Sequence, residues 1–474
     1  MKSDLVTWAI VIAYMAFIFF KGVSKVNQVR GVDDFLVAGR KVGWFFLFCT
    51  MGATVIGGGA SVGAIGKTYD WGVLMLLVSS GWYLHFIFSG LWVAPVFREA
   101  KLYTVAGYFG VRFGEGPRFV VMVLSLLFSV FIIAAQMAAF GSVLSAILPE
   151  FADSKSVLVG CIVVGGIMVV AYSTAGGLMA VIQTDVYQFI ILLAGLLVTL
   201  VACVPDILGS WGHVRAQLPD SFFALEGGKG WGFAITTFLA FLLGETFAPG
   251  YATRYCVGRD IRQTRLGIAG VGLFLALVFP AILFFIALYA RLHFPNIDPQ
   301  HALPLVVGSL NNRVVAGMMV GALLMAVMSS ADSALNSATA VFVKDLFEHQ
   351  LKWQTTEQKM LRLARICSAV LGCVAIVVAA AWRNVIDLLL FTYHLWAPAI
   401  IVPVCVGIFG KKGGAGQSRA IFITMLVATG ATLLFRLSPY KEHFDPSVFG
   451  VGVSVVAFAV ITLVSRLGYA RRGA

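Results

Sequence analysis

Long apolar stretches alternate with short polar or amphipathic connectors along the whole chain. Crossing the hydrocarbon core of a bilayer takes roughly 20 apolar residues in a helix. Thirteen stretches meet that requirement, near 4–21, 43–66, 71–97, 119–148, 156–175, 178–204, 231–256, 266–290, 313–343, 363–382, 385–409, 420–436 and 447–465. The 98–118 connector sets Tyr103, Tyr108 and Phe113 among charges, which predicts a helix lying at the membrane interface. Leu5 to Phe20 lacks a basic start and a small-residue cleavage site, so it reads as the first span and not as a signal peptide.

Composition agrees with this pattern. The 474 residues are 60% hydrophobic and 12% charged, with a mean hydropathy of +0.93. Soluble domains are about a quarter charged, so half the usual charge is available to cover a water-facing surface. That excludes a cytosolic enzyme, a secreted domain and a nucleic-acid binder. The seven cysteines lie in apolar stretches without a CxxC pair and read as packing residues. Ser61 to Thr68 imitates a phosphate loop, but Ser61 stands where the first glycine is required and the context is a membrane helix.

The net charge of +12 belongs to the topology. Connectors 21–41, 98–118, 254–265, 344–365 and 411–419, with the tail after Ser465, all lie on one side and each carries a positive excess of two or three. The opposite side is close to neutral. Basic loops stay cytoplasmic, which predicts an outside N-terminus, a cytoplasmic C-terminus and a multi-pass protein of the cytoplasmic (inner) membrane. Three acids remain inside predicted spans: Asp185, Glu245 and Asp332. No lysine or arginine is expected deep in a span, so these acids invite a cation. A charge at mid-bilayer costs about 2.5–3.5 kcal/mol on the insertion scale, and such residues mark ion or substrate pathways.

Two spans carry helix breakers in matching places. Gly57, Gly58 and Gly59 stand together in the second span, and Gly244, Pro249 and Gly250 surround Glu245 in the seventh. Successive glycines cost about 1 kcal/mol each against alanine in a helix and free backbone carbonyls that hydrocarbon cannot satisfy. Five spans separate the breaks, as an inverted five-plus-five repeat with a midplane site would give. In the ninth span Ser329, Asp332, Ser333 and Asn336 recur at three- and four-residue steps with Ser330 beside them. Hydroxyls, carbonyls and carboxylates are hard oxygen ligands, suited to a cation such as Na⁺.

The chain resembles the sodium:solute symporter family through Phe35–Arg40 (FLVAGR), Gly176–Gln188 (GGLMAVIQTDVYQ) and Met328–Ser333 (MSSADS) continuing to Asn336. The resemblance implies an all-α polytopic fold of 13 transmembrane helices with a LeuT-like core and two discontinuous helices. It divides the chain into an extra N-terminal helix (1–22), a first five-helix repeat (43–204), a second (231–409) and two C-terminal helices with a short cytoplasmic tail (420–474). It also implies a main Na⁺ site from the carbonyls of Ala53, Ile56 and Ala326 with the hydroxyls of Ser329 and Ser330. A possible second cation would lie among Asp185, Ser329, Asp332 and Ser333. Position 332 is a hydroxyl residue in members where that second site is best defined, so Na⁺ and H⁺ both stay open here.

The implied activity is secondary active transport, inward Na⁺ movement coupled to uptake of a small organic solute, with no enzymatic step. The alternatives are proton coupling and a non-transporting sensor. The partners are Na⁺, the solute and the lipid bilayer, with no nucleic acid and no required protein partner. Sugar carriers of the family place glutamine at Ala60, which disfavours a sugar. Ala53–Gly59, Ala302–Val306 and Met328–Ser333 look locally like the choline-carrying branch, but Val55 and Ala248 depart from its aromatic residues. The solute class stays open among amines, amino acids and monocarboxylates. Gly57, Gly58, Gly59 and Ala60 are candidate solute contacts, as are Glu245, Phe247, Tyr251 and Phe391, with Trp71 and Tyr83 as further walls. Glu245 could serve as counter-charge, proton carrier or capped structural acid. His85 and His394 read as neutral, hydrogen-bonded residues.

Overall fold

The computed structural model describes residues 5–24, 29–146, 155–244, 246–310, 313–382, 385–442 and 444–470. The regular structure of these residues is helical, with one isolated bridge between Val42 and Gly258 and no strand among them. In chain order the main helices are α1 (Leu5–Val23), α2 (Trp44–Val55), α3 (Gly59–Trp71), α4 (Leu74–Glu99), α5 (Val105–Phe113), α6 (Glu115–Ala146), α7 (Lys155–Gly209) and α8 (Trp231–Gly244). They continue with α9 (Pro249–Tyr255), α10 (Ile261–His293), α11 (Ala302–Leu310), α12 (Arg313–Ala340), α13 (Glu357–Ala381), α14 (Val385–Phe409), α15 (Ala415–Arg436) and α16 (Pro446–Ala470). Among the described residues nine helices are long and apolar enough to cross a membrane, or eleven if each of two bent pairs forms one span.

Both predicted breaks are present. α2 and α3 meet at 60°, and α8 and α9 at 51°. The glycines at the first break are required by crowding. A Cβ on Gly57 would sit 2.9 Å from the Ser330 Cβ, and one on Gly58 would sit 2.6 Å from the Ala139 Cβ. A third break falls inside α7. Fifty-five helical residues would run about 80 Å, more than twice a hydrocarbon core of about 30 Å. Gly177, at φ +57° and ψ −161°, divides the run where the sequence predicts the link between spans five and six. A side chain there would press on the ring and carbonyl of Phe35.

α12 is the central helix. Its most apolar window, in the run Val314–Gln350, is 83% buried, whereas the corresponding window of α16 is 17% buried and faces outward. It packs on α6, α7 and α1. The predicted interfacial helix is α5, capped by Thr104, whose hydroxyl oxygen accepts from Gly107 N–H at 2.9 Å. Tyr108 and Phe113 are buried within the protein, with Tyr108 stacked on Phe97 at 5.2 Å. Tyr108 and Phe113 of this connector therefore seal a contact within the protein.

The basic connectors meet on one face, and arginines join them through backbone carbonyls. Arg40 donates to the carbonyls of Leu102 (3.0 Å), Lys101 (2.8 Å) and Cys256 (3.2 Å). Arg98 donates to the carbonyls of Gly258 and Arg259. Val42 and Arg259 add two main-chain bonds, Val42 N–H to Val257 O (3.2 Å) and Arg259 N–H to Val42 O (2.8 Å). Arg112 similarly holds the carbonyls of Gly407, Gly410 and Lys411. This face is closed.

Candidate functional site

At the α2–α3 break the backbone ladder lapses. Ile56 N–H still reaches the Gly52 carbonyl, and the ladder resumes with Ser61 N–H on Gly57 and Gly63 N–H on Gly58. Between them Gly58 N–H turns to the side-chain oxygen of Gln136 on α6, at 3.1 Å. Among the described residues no amide bonds the carbonyls of Ala53 or Ile56. α12 lies against this segment. Ser330 Oγ donates to the Thr54 carbonyl at 2.7 Å and to the Ala326 carbonyl at 3.3 Å. Thr54 and Ser333 hydroxyls are 3.0 Å apart, and Ser333 donates to the Ser329 carbonyl at 2.6 Å. A donating hydroxyl retains lone pairs. The junction therefore holds carbonyl and hydroxyl oxygens from two helices, the donor chemistry that a small hard cation takes.

One step further along α12 the structure corrects the sequence reading. Arg254, assigned above to a basic loop, is fully buried, and its Nη2 lies 3.2 Å from Asp185 Oδ2. α9 begins after the bend and carries Arg254 back into the protein. The guanidinium also donates to Ser333 Oγ (2.5 Å), Thr50 Oγ1 (3.2 Å) and the Gly250 carbonyl (3.2 Å). Asp185 in turn accepts from Ser329 Oγ at 2.5 Å and from Thr50 Oγ1. Asp185 is thus an acid with a basic partner.

Asp332 does not join this group. Its Oδ1 accepts from Ser173 on α7, and its Oδ2 has no hydrogen-bond partner among the described residues. Asn336 donates to the Leu36 carbonyl at 3.1 Å, tying α12 to the segment before α2. Thr50, Gln136, Ser173 and Arg254 were missed by the sequence reading. Gln136 carried a legible signal, a lone amide in a long apolar span.

The predicted solute residues separate. Gly58 and Gly59 line a cavity of about 290 Å³ that extends past Val62 and Trp82 to Lys67 and Trp71. Gly57 faces Ser330 and Gln136. Ala60 lies with Val55, Ile56 and Tyr83 around a small apolar gap. Tyr251 borders a chamber of about 40 Å³ with Ser330 and Ser333. Phe247 is fully buried in the second break with φ +62°. Phe391 packs edge-on to Phe131 at 5.0 Å and beneath Arg436, away from the cavity lining. Glu245 lies outside the described residues. Neither ring nitrogen of His85 has a partner among them, and its ring rests 3.9 Å from that of Phe86. His394 Nε2 lies 3.9 Å from Asp445 Oδ2.

The chain is similar to several known membrane carriers. The high-affinity choline transporter 1 of Caenorhabditis elegans is 27% identical over 383 residues, covering 77% of this chain and 64% of that protein. The sodium/sialic acid symporter NanT of Aliivibrio fischeri is 27% identical over 387 residues, 77% of this chain and 74% of that protein. The high-affinity proline transporter PutP of Bacillus subtilis is 23% identical and matches 94% of this chain and 95% of its own. In fold, a Na⁺-coupled sialic acid symporter solved in a substrate-bound outward-open state superposes with a TM-score of 0.81 at 19% identity, over 97% of this chain and 98% of that one. The profile of the sodium:solute symporter family matches residues 35–421, and the chain belongs to that family.

Proposed function

We propose that this protein is a secondary active transporter of the cytoplasmic membrane that couples inward Na⁺ movement to uptake of a small organic solute. The observation that carries this reading is the contact between the broken α2 and the hydroxyls of α12, where Ser330 Oγ meets the Thr54 carbonyl at 2.7 Å. Na⁺ binds among the carbonyls of Ala53, Ile56 and Ala326 and the hydroxyls of Ser329 and Ser330. It ties α2 to α12 and orders the segment through Gly57 to Gly59. The solute then binds beside Gly58 and Gly59, the core rocks, and Na⁺ loss on the inside loosens the solute. Coupling is reciprocal: the factor by which Na⁺ tightens the solute is the factor by which the solute tightens Na⁺.

The finer topology in this reading has thirteen spans. The two bent pairs each count once, α7 counts twice across Gly177, and α1 supplies the remaining one. Residues 43–204 and 231–409 form the two inverted repeats, with the N-terminus outside and the C-terminus cytoplasmic. At the second cation position, the Arg254 guanidinium stands beside Asp185, Ser329 and Ser333. One observation favours a proton as a further coupled ion: the buried Asp332 carboxyl has no basic partner within ion-pair distance among the described residues.

Counterflow in proteoliposomes tests the reading, with a panel of choline, betaine, proline, other amino acids, short monocarboxylates and a hexose in NaCl and in KCl. Na⁺-dependent exchange of one solute is the expected result. Replacing Ser329 and Ser330 with alanine should raise the half-saturating Na⁺ concentration by about tenfold or more, the equivalent of roughly 1.4 kcal/mol. Unchanged Na⁺ dependence in that double variant would overturn the assignment of the cage.

A further inference from the structure

The larger cavity and the small chamber lie on either side of the α2–α3 break. Gly58 and Gly59 line the cavity, and Thr54 borders the chamber with Ser330 and Ser333. Gln136 of α6 borders the chamber as well, and its Oε1 accepts from the Gly58 N–H at 3.1 Å. An amide N–H can meet only the oxygen end of a carboxamide, so the bond fixes which way Gln136 points. The side chain is 6% exposed and stands between the buried Ala135 and Met137. A polar group in such surroundings costs free energy unless it is hydrogen-bonded.

The bond acts on one peptide unit. The Gly58 N–H shares its plane with the Gly57 carbonyl, which accepts from Ser61 N–H at 3.0 Å and from Ser61 Oγ at 2.7 Å. This unit is therefore held at both ends. The unit before it carries the Ile56 carbonyl, assigned above to Na⁺. The two planes share only the Cα of Gly57, whose torsions no side chain restricts. Nor could a larger residue stiffen that joint, since a Cβ there would lie 2.9 Å from the Ser330 Cβ and 3.1 Å from Gln136 Oε1.

We propose that Gln136 is the positioning residue through which the ion junction acts on the solute cavity. Its carboxamide fixes the Gly57–Gly58 unit, so that drawing the Ile56 carbonyl onto Na⁺ sets the course of Gly58 and Gly59 in the cavity lining. Without that acceptor the unit is held at one end only, and the effect of Na⁺ stops at Gly57. Gln136 touches neither ion nor solute in this role and acts through the Gly58 amide. The role rests on the reading of the chain as a Na⁺-coupled carrier and names the contact that does the coupling.

Na⁺ itself is the probe, on the purified full chain in NaCl and in KCl. Thermal stabilisation reads whether Na⁺ binds. Labelling of Leu389→Cys by an aqueous methanethiosulfonate, followed by peptide mass spectrometry, reads the cavity lining. Leu389 Cδ1 lies 3.2 Å from where a Cβ on Gly59 would sit, and no cysteine is among the residues lining the cavity. The mouth is held separately at the start of α16, where Asp445 Oδ1 accepts from Ser447 N–H (2.8 Å) and Val448 N–H (3.3 Å), so the reporter is placed against Gly59 instead.

With Gln136 intact, NaCl should change the labelling rate about tenfold relative to KCl, within the usual range of coupling between sites. Gln136→Met keeps the length of the side chain and loses the oxygen. Na⁺ should still stabilise it, with half-saturation moved by no more than several-fold, while the labelling rates in the two salts converge. Gln136→Asn, whose oxygen stops one methylene short, should do the same through a milder change. Gln136→Glu keeps an acceptor at full length in either protonation state and should restore most of the difference. Packing alone would lower the melting temperature of the Met and Asn variants and leave the ratio of rates unchanged. A full ratio in Gln136→Met, or Glu no better than Met, would overturn the proposal. Stabilisation of the parent chain by Na⁺ with no change in labelling would overturn it too and leave Na⁺ binding standing, whereas equal stabilisation in KCl would overturn the Na⁺ reading itself.

Discussion

The Asp185–Arg254 pair offers the most direct test of the packing around α12. Arg254 donates to four acceptors, and Asp185 accepts from the guanidinium and from two hydroxyls. Removing one partner of a buried ion pair costs about 3–5 kcal/mol. Arg254→Met should lie at the upper end of that range, because it strips Asp185 of its counter-charge and leaves Thr50 and Ser333 without their shared donor. Asp185→Asn should lie at the lower end. The amide oxygen still accepts, and one of the Ser329 or Thr50 hydroxyls has to turn and accept from the new NH₂. The double variant buries no charge, so it should cost about 2–3 kcal/mol less than the sum of the singles, within the range of coupling between contacting residues. Equilibrium unfolding by SDS in mixed micelles, followed by circular dichroism, measures all three. Additive losses in the double variant, or a loss under about 1 kcal/mol in Arg254→Met, would refute the claim that the pair holds α7, α9 and α12 together.

Other consequences can be measured separately. Gly57→Ala and Gly58→Ala place a methyl against Ser330 and Ala139, so each should destabilise by about 1–3 kcal/mol, the usual cost of overpacking; the same unfolding assay reads this, with Na⁺ affinity falling for Gly57→Ala. Arg98→Gln removes two carbonyl bonds from the basic face and should speed maleimide labelling of the buried Cys256 several-fold in Na⁺-free buffer, whereas an unchanged rate would show that Arg98 does not hold this face shut. Burial pushes the Asp445 carboxyl up, but His394 and the Ser447 hydroxyl and amide outweigh it and hold the carboxyl below its ordinary range. The stabilisation it gives the start of α16 is therefore complete above about pH 4, the unfolded value, and lost as the pH falls through its lower folded value. Hydrogen exchange at the Val448 amide should show protection retained at pH 5 and lost in stronger acid.

Much of the architecture was legible because membrane crossing imposes length and apolarity on each helix. The breaks were legible because three glycines in a row have no helical reason to be there. Arg254 was not. Hydropathy places it at the end of a span, and a bend of 51° after Gly244 decides that it turns inward. The separation of Asp332 from Asp185 was hidden for a related reason. Spacing puts Asp332 near Ser329 and Ser333 on a helical wheel, but which neighbour each meets depends on how α7 folds past Gly177. The aromatic walls divided similarly: Trp71 lines the cavity, whereas Phe391 faces Phe131. Chain periodicity gives a residue's face, and only the bends of its neighbours give what that face meets.

The arginines of the basic face bond to carbonyl oxygens that every residue type possesses. Substitution in the stretches of chain that accept these bonds, at Lys101, Leu102 or Arg259 for example, leaves the acceptor in place. The information that keeps this side shut is therefore concentrated on the donor side, in a few guanidinium groups, and the facing loops are free to diverge in sequence as long as their backbone path is kept. Carbonyls do not titrate, so protons in the physiological range have nothing to act on at the acceptors. Opening this side must come from motion of the helices that carry the donors. Comparisons among relatives should accordingly find arginine fixed at these positions beside partners that vary.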